Sequence, residues 1–490
     1  MKSINLPPHA PTLIESTRAI GYTLESAIAD IVDNSVSASA SCTDIFFFPI
    51  GDSYIAILDN GCGMNADELE TAMRYGSQNP NDKRVATDLG RFGLGLKTAS
   101  LSQCRTLTVA SKKGGNIDAR RWDIDYVIKT GEWSLIILET EDEINSIPKI
   151  DKLRQFESGT LVVWQNLDRL KVGELNFDRS MGRKMDDVRA HLSLVYHRYL
   201  SGETGIKKLQ INMNGTPINC SDPFLTRRNT QVMADEELFI EGVKVVVRPF
   251  ILPHISNLSA DEITELGGKE GLRKSQGFYV YRNKRLLVWG TWFHMMRQGE
   301  LSKLARIQVD IPNDLDNLWT LDIKKSSAVP PEVVRNNLEA VIERMAERSK
   351  QTWVFRGKKE TNDSIIHIWQ RFKGKQGGIF YSINRDHPLV ELFSNASPQI
   401  KRNLETLFKA IESEIPLNQL YIDLTSEKQL ENETEATSTE VENMLKMLLA
   451  QMPSVETKNE LLDRLSLSEP FVNYPLIIDK YKKEGALLCQ

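Results

Sequence analysis

Three short motifs, all within the first hundred residues, constrain this chain more than anything else in it. They read DIVDNSVSASA (Asp30 to Ala40), ILDNGCGM (Ile57 to Met64) and LGRFGLGLKTAS (Leu89 to Ser100). In that order they spell an acidic helix, a strand that ends in an Asp-Asn-Gly turn, and a glycine cluster that opens a second helix. Together they can form a nucleotide site.

Each motif has a physical use. Leu24, Ile28, Ile31, Val32 and Ser35 recur at helical spacing, which predicts an amphipathic helix over 24–36. Asp30 and Asn34 lie four apart and therefore share one face of it. A carboxylate there can take a proton from an attacking water, and a carboxamide oxygen can ligate magnesium. Glu25 and Asp33 are the other nearby carboxylates, and the spacing points both away from that pair. The run YIAIL (54–58) predicts a strand feeding a turn. At its end, Asp59 can accept a hydrogen bond from an exocyclic amine such as that of adenine, while Gly61 and Gly63 let backbone approach a ligand. An ordinary hairpin loop uses the same residues. Gly90, Gly93 and Gly95 precede Lys97 and Thr98 at the start of a helical run. Glycines before a helix N-terminus free backbone N–H groups for phosphate. The spacing matches neither GxxxxGK[ST] nor the dinucleotide fingerprint.

Order and spacing together resemble the GHKL ATPases, the superfamily of gyrase, heat-shock chaperones, histidine kinases and MutL. The resemblance implies an N-terminal α/β sandwich of the Bergerat type that binds ATP with Mg2+. It implies Asp30 as general base, Asn34 as magnesium ligand and Asp59 as the reader of the adenine amine. Gly61, Gly63 and Met64 would follow Asp59 around the nucleotide. Gly90, Gly93, Leu94, Gly95, Leu96, Lys97 and Thr98 would form the lid and phosphate side, with Lys97 directed at phosphate. Gly159-Thr160, in SGTLVVW, match a later family element. Gyrase- and MutL-like members carry Glu where this chain has Asp30, one methylene shorter, which implies a lower hydrolysis rate.

Composition sets outer bounds. A chain of 490 residues, 41% hydrophobic and 26% charged, is expected to form about three soluble globular domains. Its net charge of −5 excludes a globally basic nucleic-acid coat but leaves room for a local basic groove. Five cysteines without paired spacing read as reduced thiols, and seven scattered histidines form no ligand pattern. MKSINLPPHAPTLIE lacks an apolar signal core, and no stretch approaches the roughly 20 apolar residues of a membrane helix. A cytoplasmic, membrane-free protein is expected.

The expected class is α+β. Residues 1–204 form the ATP-binding domain, with strands at 43–50, 54–58, 106–111, 133–138 and 160–164, a polar lid over 77–92 and a helix over 185–200. Residues 205–350 resemble the transducer domain of gyrase, MutL and MORC-type proteins, with strands at 207–215 and 243–252 and a hairpin over 277–292. By that resemblance Lys325, or its neighbour Lys324, reaches back to the terminal phosphate. An amphipathic helix begins at Pro331. Residues 351–490 are expected to be mainly helical, for dimerisation or partner binding, with an acidic linker at 426–440.

The leading expectation is a nucleotide-gated clamp that dimerises on binding ATP, closest to bacterial MORC- and MutL-like ATPases, some of which stand beside restriction or phage-defence genes. DNA is the expected client, through Arg273, Lys274, Arg282, Lys284, Arg285, Arg297, Lys303 and Arg306. With no nuclease signature in the chain, any cutting falls to a partner nuclease or effector. The alternatives are a chaperone-like machine acting on proteins and an ATP-binding switch without appreciable turnover. A sensor kinase is disfavoured, because no phospho-accepting His helix precedes the motifs.

Overall fold

The computed structural model describes the chain except residues 1, 2, 5, 7, 20, 77–88, 90–94, 227–230, 254–256, 268–270, 300–301, 316–319, 322–327, 333, 337, 340–341, 343–364, 374–378, 392, 394–395, 416–436, 451–454 and 488–490. It divides into two compact units, Met1–Arg356 and Gly357–Gln490.

The first unit opens with helices α1 (Ala10–Arg18) and α2 (Leu24–Ser37), followed by strands β1 (Cys42–Phe48) and β2 (Tyr54–Asp59). Then come α3 (Ala66–Met73), α4 (Gly95–Gln103), β3 (Thr106–Lys113), β4 (Asn116–Asp123), α5 (Ile124–Thr130) and β5 (Ile136–Leu138). Short helices α6 (Glu141–Asn145) and α7 (Ile150–Arg154) lead to β6 (Gly159–Gln165), α8 (Asp168–Lys171), α9 (Phe177–Val195), α10 (His197–Ser201), β7 (Gln210–Met213) and β8 (Thr216–Pro217). The eight strands form one sheet in the order β5-β4-β3-β6-β2-β1-β7-β8. Its pairs are antiparallel except β1 with β7, which are parallel.

Alternation explains the continuous apolar runs. In β2, Ile55 and Ile57 enter one core while Ala56 and Leu58 enter another. In β6, Val162 and Trp164 join the first, Leu161 and Val163 the second. A strand covered on both faces has no polar side. The larger core holds Ile14 of α1, Ile28 of α2, Leu101 of α4 and Leu192 of α9; the smaller is closed by Ile150 and Leu153 of α7. The Thr23 side chain caps α2.

A second mixed sheet is built from β9 (Gln231–Val232), β10 (Glu236–Ile240), β11 (Val243–Ile251), β12 (Gly277–Arg282), β13 (Arg285–Thr291) and β14 (Ala305–Ile311), with α11 (Ala260–Gly267) between β11 and β12. Its order is β10-β11-β14-β12-β13, with β9 paired to β11. Of the apolar residues expected at helical spacing after Pro331, Val334, Leu338 and Ile342 are buried in its core, and Val341 and Met345 lie outside the described residues. The second unit holds a two-stranded hairpin (Trp369–Lys373 with Ile379–Ile383) and helices Pro388–Glu391, Pro398–Ser413, Ser438–Ala450, Val455–Leu465 and Pro475–Leu487. The class is therefore α+β with a helical C-terminal part.

Several local features depart from expectation. NIDARRWD, dense in charge, forms the strand β4. The strand at 133–138 shrinks to Ile136–Leu138, and the long helix starts at Phe177. Strands β7 and β8 carry the first sheet past residue 204. Ser438–Glu440, expected in the linker, already belong to a helix; 426–436 lie outside the described residues. Among the described residues no helix is long and apolar enough to cross a membrane.

Candidate nucleotide site

Helix α2 is the wall on which the site is assembled. Its apolar stripe, with Ile28, Ile31 and Val32, packs into the core. Asp30 is only 4% exposed. The Tyr22 hydroxyl donates to Asp30 Oδ2 at 3.0 Å. A Cβ placed on Gly95 would lie 3.5 Å from that same oxygen, so the first residue of α4 rests against the carboxylate. One turn further on, Asn34 is exposed. The expected pair thus shares a face but not an environment: the carboxylate is shielded and the carboxamide is open. Its oxygen suits a hard, water-keeping cation such as Mg2+.

Asp59 ends β2 beside the same helix. Ser35 Oγ donates to its Oδ2 at 3.0 Å, and the Gly61 N–H donates to Oδ1 at 2.8 Å. A third bond comes from the Thr160 backbone, which the β2–β6 register sets opposite Asp59. Burial pushes the Asp59 carboxyl above its usual range, against these three bonds. The glycines have steric reasons. A Cβ on Gly61 would meet the Ala38 Cβ at 2.8 Å. Gly63 has φ +67°, and its Cβ would fall 2.0 Å from the Lys112 carbonyl oxygen. The Met64 N–H donates to Ser111 Oγ at 2.8 Å. Ser111 Oγ is in turn 3.0 Å from the Gly159 carbonyl and 2.9 Å from Thr160 Oγ1. The turn, β3 and β6 are therefore stitched together at one hydroxyl. Ser111 has no signal in the sequence, where it is one polar residue in a strand.

On the α4 side, Leu96 packs against the larger core and Thr98 is buried. Lys97, expected to be directed at phosphate, is buried. Its side chain is 1% exposed, and Nζ donates to the Ala72 carbonyl at 2.9 Å, near the end of α3. Two positions after Gly95, the side chain leaves the helix on another face. Burial lowers its pKa to about 8. Gly90, Gly93, Leu94, Lys324 and Lys325 lie outside the described residues. Leu89 is described and buried; its N–H donates to Ser37 Oγ at 3.3 Å, and its carbonyl accepts from Arg282 Nη1 at 3.2 Å.

Asp33, expected to point away from the Asp30–Asn34 pair, is 1% exposed. The Tyr196 hydroxyl lies 2.6 Å from its Oδ1, and Arg285 Nε donates to the same oxygen at 3.1 Å. The eight cations expected to meet DNA split in two. Arg282, Arg285 and Arg306, on strands of the second sheet, are buried, and so is Lys303 in the turn before β14. Arg273, Lys274 and Arg297 are exposed, and the half-exposed Lys284 pairs with Glu203 at 3.1 Å.

The residues that carry this geometry fall within a stretch, 22–160, that matches the family model of histidine kinase-, DNA gyrase B- and HSP90-like ATPases. The chain is similar to ATPase morc-1 of Caenorhabditis elegans, 34% identical over 95 residues, 19% of this chain and 11% of that protein. It is similar to the DNA mismatch repair protein MutL of Paramagnetospirillum magneticum, 36% identical over 118 residues, 23% of this chain and 19% of that protein. With MORC family CW-type zinc finger protein 1 of Mus musculus it shares 24% identity over 190 residues, 32% of this chain and 20% of that protein. The matched stretches thus cover between 11% and 20% of these relatives' own length.

Proposed function

From the premise that residues 22–160 make this chain a GHKL-type ATPase, distantly similar to MORC and MutL proteins, we propose that it hydrolyses ATP with magnesium as a dimeric, nucleotide-gated clamp. The observation that carries the reading is the shielded Asp30 carboxylate lying against Gly95, where α4 begins. A helix N-terminus favours phosphate, and a carboxylate beside it is in reach of a water aimed at that phosphate. Asp30 takes the proton of that water. Asp59 accepts a hydrogen bond from the adenine amine, and Gly61 and Gly63 let the turn that follows it close against Ala38 and Lys112. Asn34 holds Mg2+, which supplies charge neutralisation at the phosphates. Thr160 and Met64 close the base side, and Gly90, Gly93, Leu94, Leu96 and Thr98 the phosphate side. In this reading residues 1–204 are the ATP-binding domain, 205–350 the transducer that brings Lys325 to the terminal phosphate, and 351–490 a dimerisation or partner-binding region.

DNA is the proposed client. The support is similarity to a protein named for DNA mismatch repair and the three exposed cations Arg273, Lys274 and Arg297. A partner nuclease within a restriction or phage-defence system would then do any cutting. One observation favours a second reading, a switch that binds ATP with little turnover: Asp30 is short, and the Tyr22 hydroxyl already occupies one of its oxygens. Turnover with magnesium, compared among wild type, Asp30→Ala and Asn34→Ala with and without duplex DNA, decides between them. Activity that needs both residues and rises with DNA is expected. Wild-type protein that binds ATP but never turns it over would replace the first reading with the second.

A further inference from the structure

The β12–β13 hairpin of the second sheet packs against the helices that cover the first. Its two-residue turn, Asn283-Lys284, has φ +48° and +67°, the left-handed pair of a tight hairpin. The turn is pinned to the ATP-binding side. Tyr199 donates to the Asn283 carbonyl at 2.5 Å, and Lys284 Nζ bonds Glu203 at 3.1 Å. The two arginines that flank the turn, Arg282 and Arg285, sit directly opposite each other in the strand register. Like charges so placed disfavour a hairpin taken by itself. Each, however, finds a target in the first sheet's layer: Arg282 bonds the Leu89 carbonyl and Arg285 bonds Asp33.

Asp33 is no peripheral carboxylate. It precedes Asn34 and stands three residues after Asp30, a neighbouring position on the helix surface. The Tyr196 hydroxyl lies 2.6 Å from Asp33 Oδ1 and 2.7 Å from the Ala29 carbonyl, so its single proton serves one turn of α2 from either acceptor. Arg285 Nη1 also donates to the Leu286 carbonyl at 3.0 Å, which fixes the guanidinium to its own strand. Asp33 and Arg285 are both nearly sealed from water, at 1% and 5% side-chain exposure. A buried charge pair of this kind is costly to break and sets geometry more than it adds stability.

Resting on the ATPase reading above, we propose that Arg285 is a positioning residue for the reaction: through Asp33 it fixes the rotation of the α2 turn that presents Asp30 and Asn34. The second sheet thereby acts on the nucleotide site from behind the helix. The adenine side is held mainly from elsewhere, by the Gly61 N–H, the Thr160 backbone and Ser111, and its tie to α2 is the Ser35 bond to Asp59.

The test uses the full chain with Arg285→Gln, Arg285→Lys, Asp33→Asn and the double variant Asp33→Asn/Arg285→Gln. Each is assayed only where circular dichroism shows it folded. In Arg285→Gln, kcat is expected to fall by about ten- to a hundredfold, the range of a small misplacement, while ADP affinity without magnesium stays within about threefold of wild type. Magnesium should strengthen ATP binding less than in wild type. Arg285→Lys should recover part of the lost kcat, and the double variant should be no slower than the slower single. Lys284→Ala, on the same turn, should leave kcat within about twofold. A folded Arg285→Gln with wild-type kcat and wild-type magnesium enhancement overturns the proposal. So does a loss of ADP affinity equal to the loss of kcat, which marks general loosening. If wild type binds ATP without turnover, the hydrolytic reading fails separately, and magnesium enhancement alone decides the role of Arg285. If wild type shows neither, both fall.

Discussion

At the scale of the residue, Asp59 answers to two opposed demands. Three hydrogen bonds orient its carboxylate, while burial resists its charge. Its folded-state pKa is raised, so the stability it contributes is full below the unfolded value of about 3.9 and is lost as pH climbs through the folded one. Asp59→Asn removes that loss. Ser35 can turn its hydroxyl to accept from the new amide, since the Ile31 carbonyl, 3.4 Å away, can take its proton. The ligand-free variant is expected to melt a few degrees above wild type at neutral pH, and the gain should shrink toward about pH 4 in a pH series of thermal melts. ATP affinity should fall at least about tenfold, because an amide donor would face the amine donor of adenine. An unchanged melting difference across that series would refute the burial argument.

At the scale of the element, the turn Asn60–Met64 is specified by contact with its neighbours. Gly63→Ala combines a left-handed backbone with a clash on the Lys112 carbonyl. Urea unfolding should show about 2–4 kcal/mol of destabilisation; a loss below about 1 kcal/mol would mean that the turn can relax. Such elements are legible where period and local chemistry coincide. The helix expected over 24–36 runs Leu24–Ser37, and YIAIL ends as expected at an Asp-Asn-Gly turn. What stays hidden depends on distant partners. β4 buries Arg120 along with Ala119 and Trp122, so its charge hides a strand. The bond from the Lys97 ammonium to the Ala72 carbonyl depends on the approach of α3, which nothing beside Lys97 in the sequence announces. Asp33 has its ion-pair partner 252 residues away, beyond any local pattern.

At the scale of the whole molecule, the exposed cations among the eight expected to meet DNA are fewer than the sequence suggests. Arg273→Ala, Lys274→Ala and Arg297→Ala are expected to weaken duplex binding and to flatten its salt dependence, each by about 1 in the log–log slope where the side chain neutralises a phosphate. Fluorescence anisotropy across a salt series checks this, and slopes that do not move would exclude these residues from the interface. The first sheet carries a different consequence, in its one parallel pair. β1 joins β7 with partners as far apart as Asp44 and Asn212, 168 residues along the chain. During synthesis β1 emerges early and can pair with β2 at once, but its other edge stays open until the chain is made beyond residue 213. That edge runs from Cys42 to Ile45, which pair with Gln210 to Met213 in the folded chain, and an open strand edge invites pairing with other chains. The nascent protein therefore passes through a long interval in which its nucleotide-binding half is nearly complete yet still adhesive, and the time taken to translate the stretch from β1 to β7 sets how long that exposure lasts.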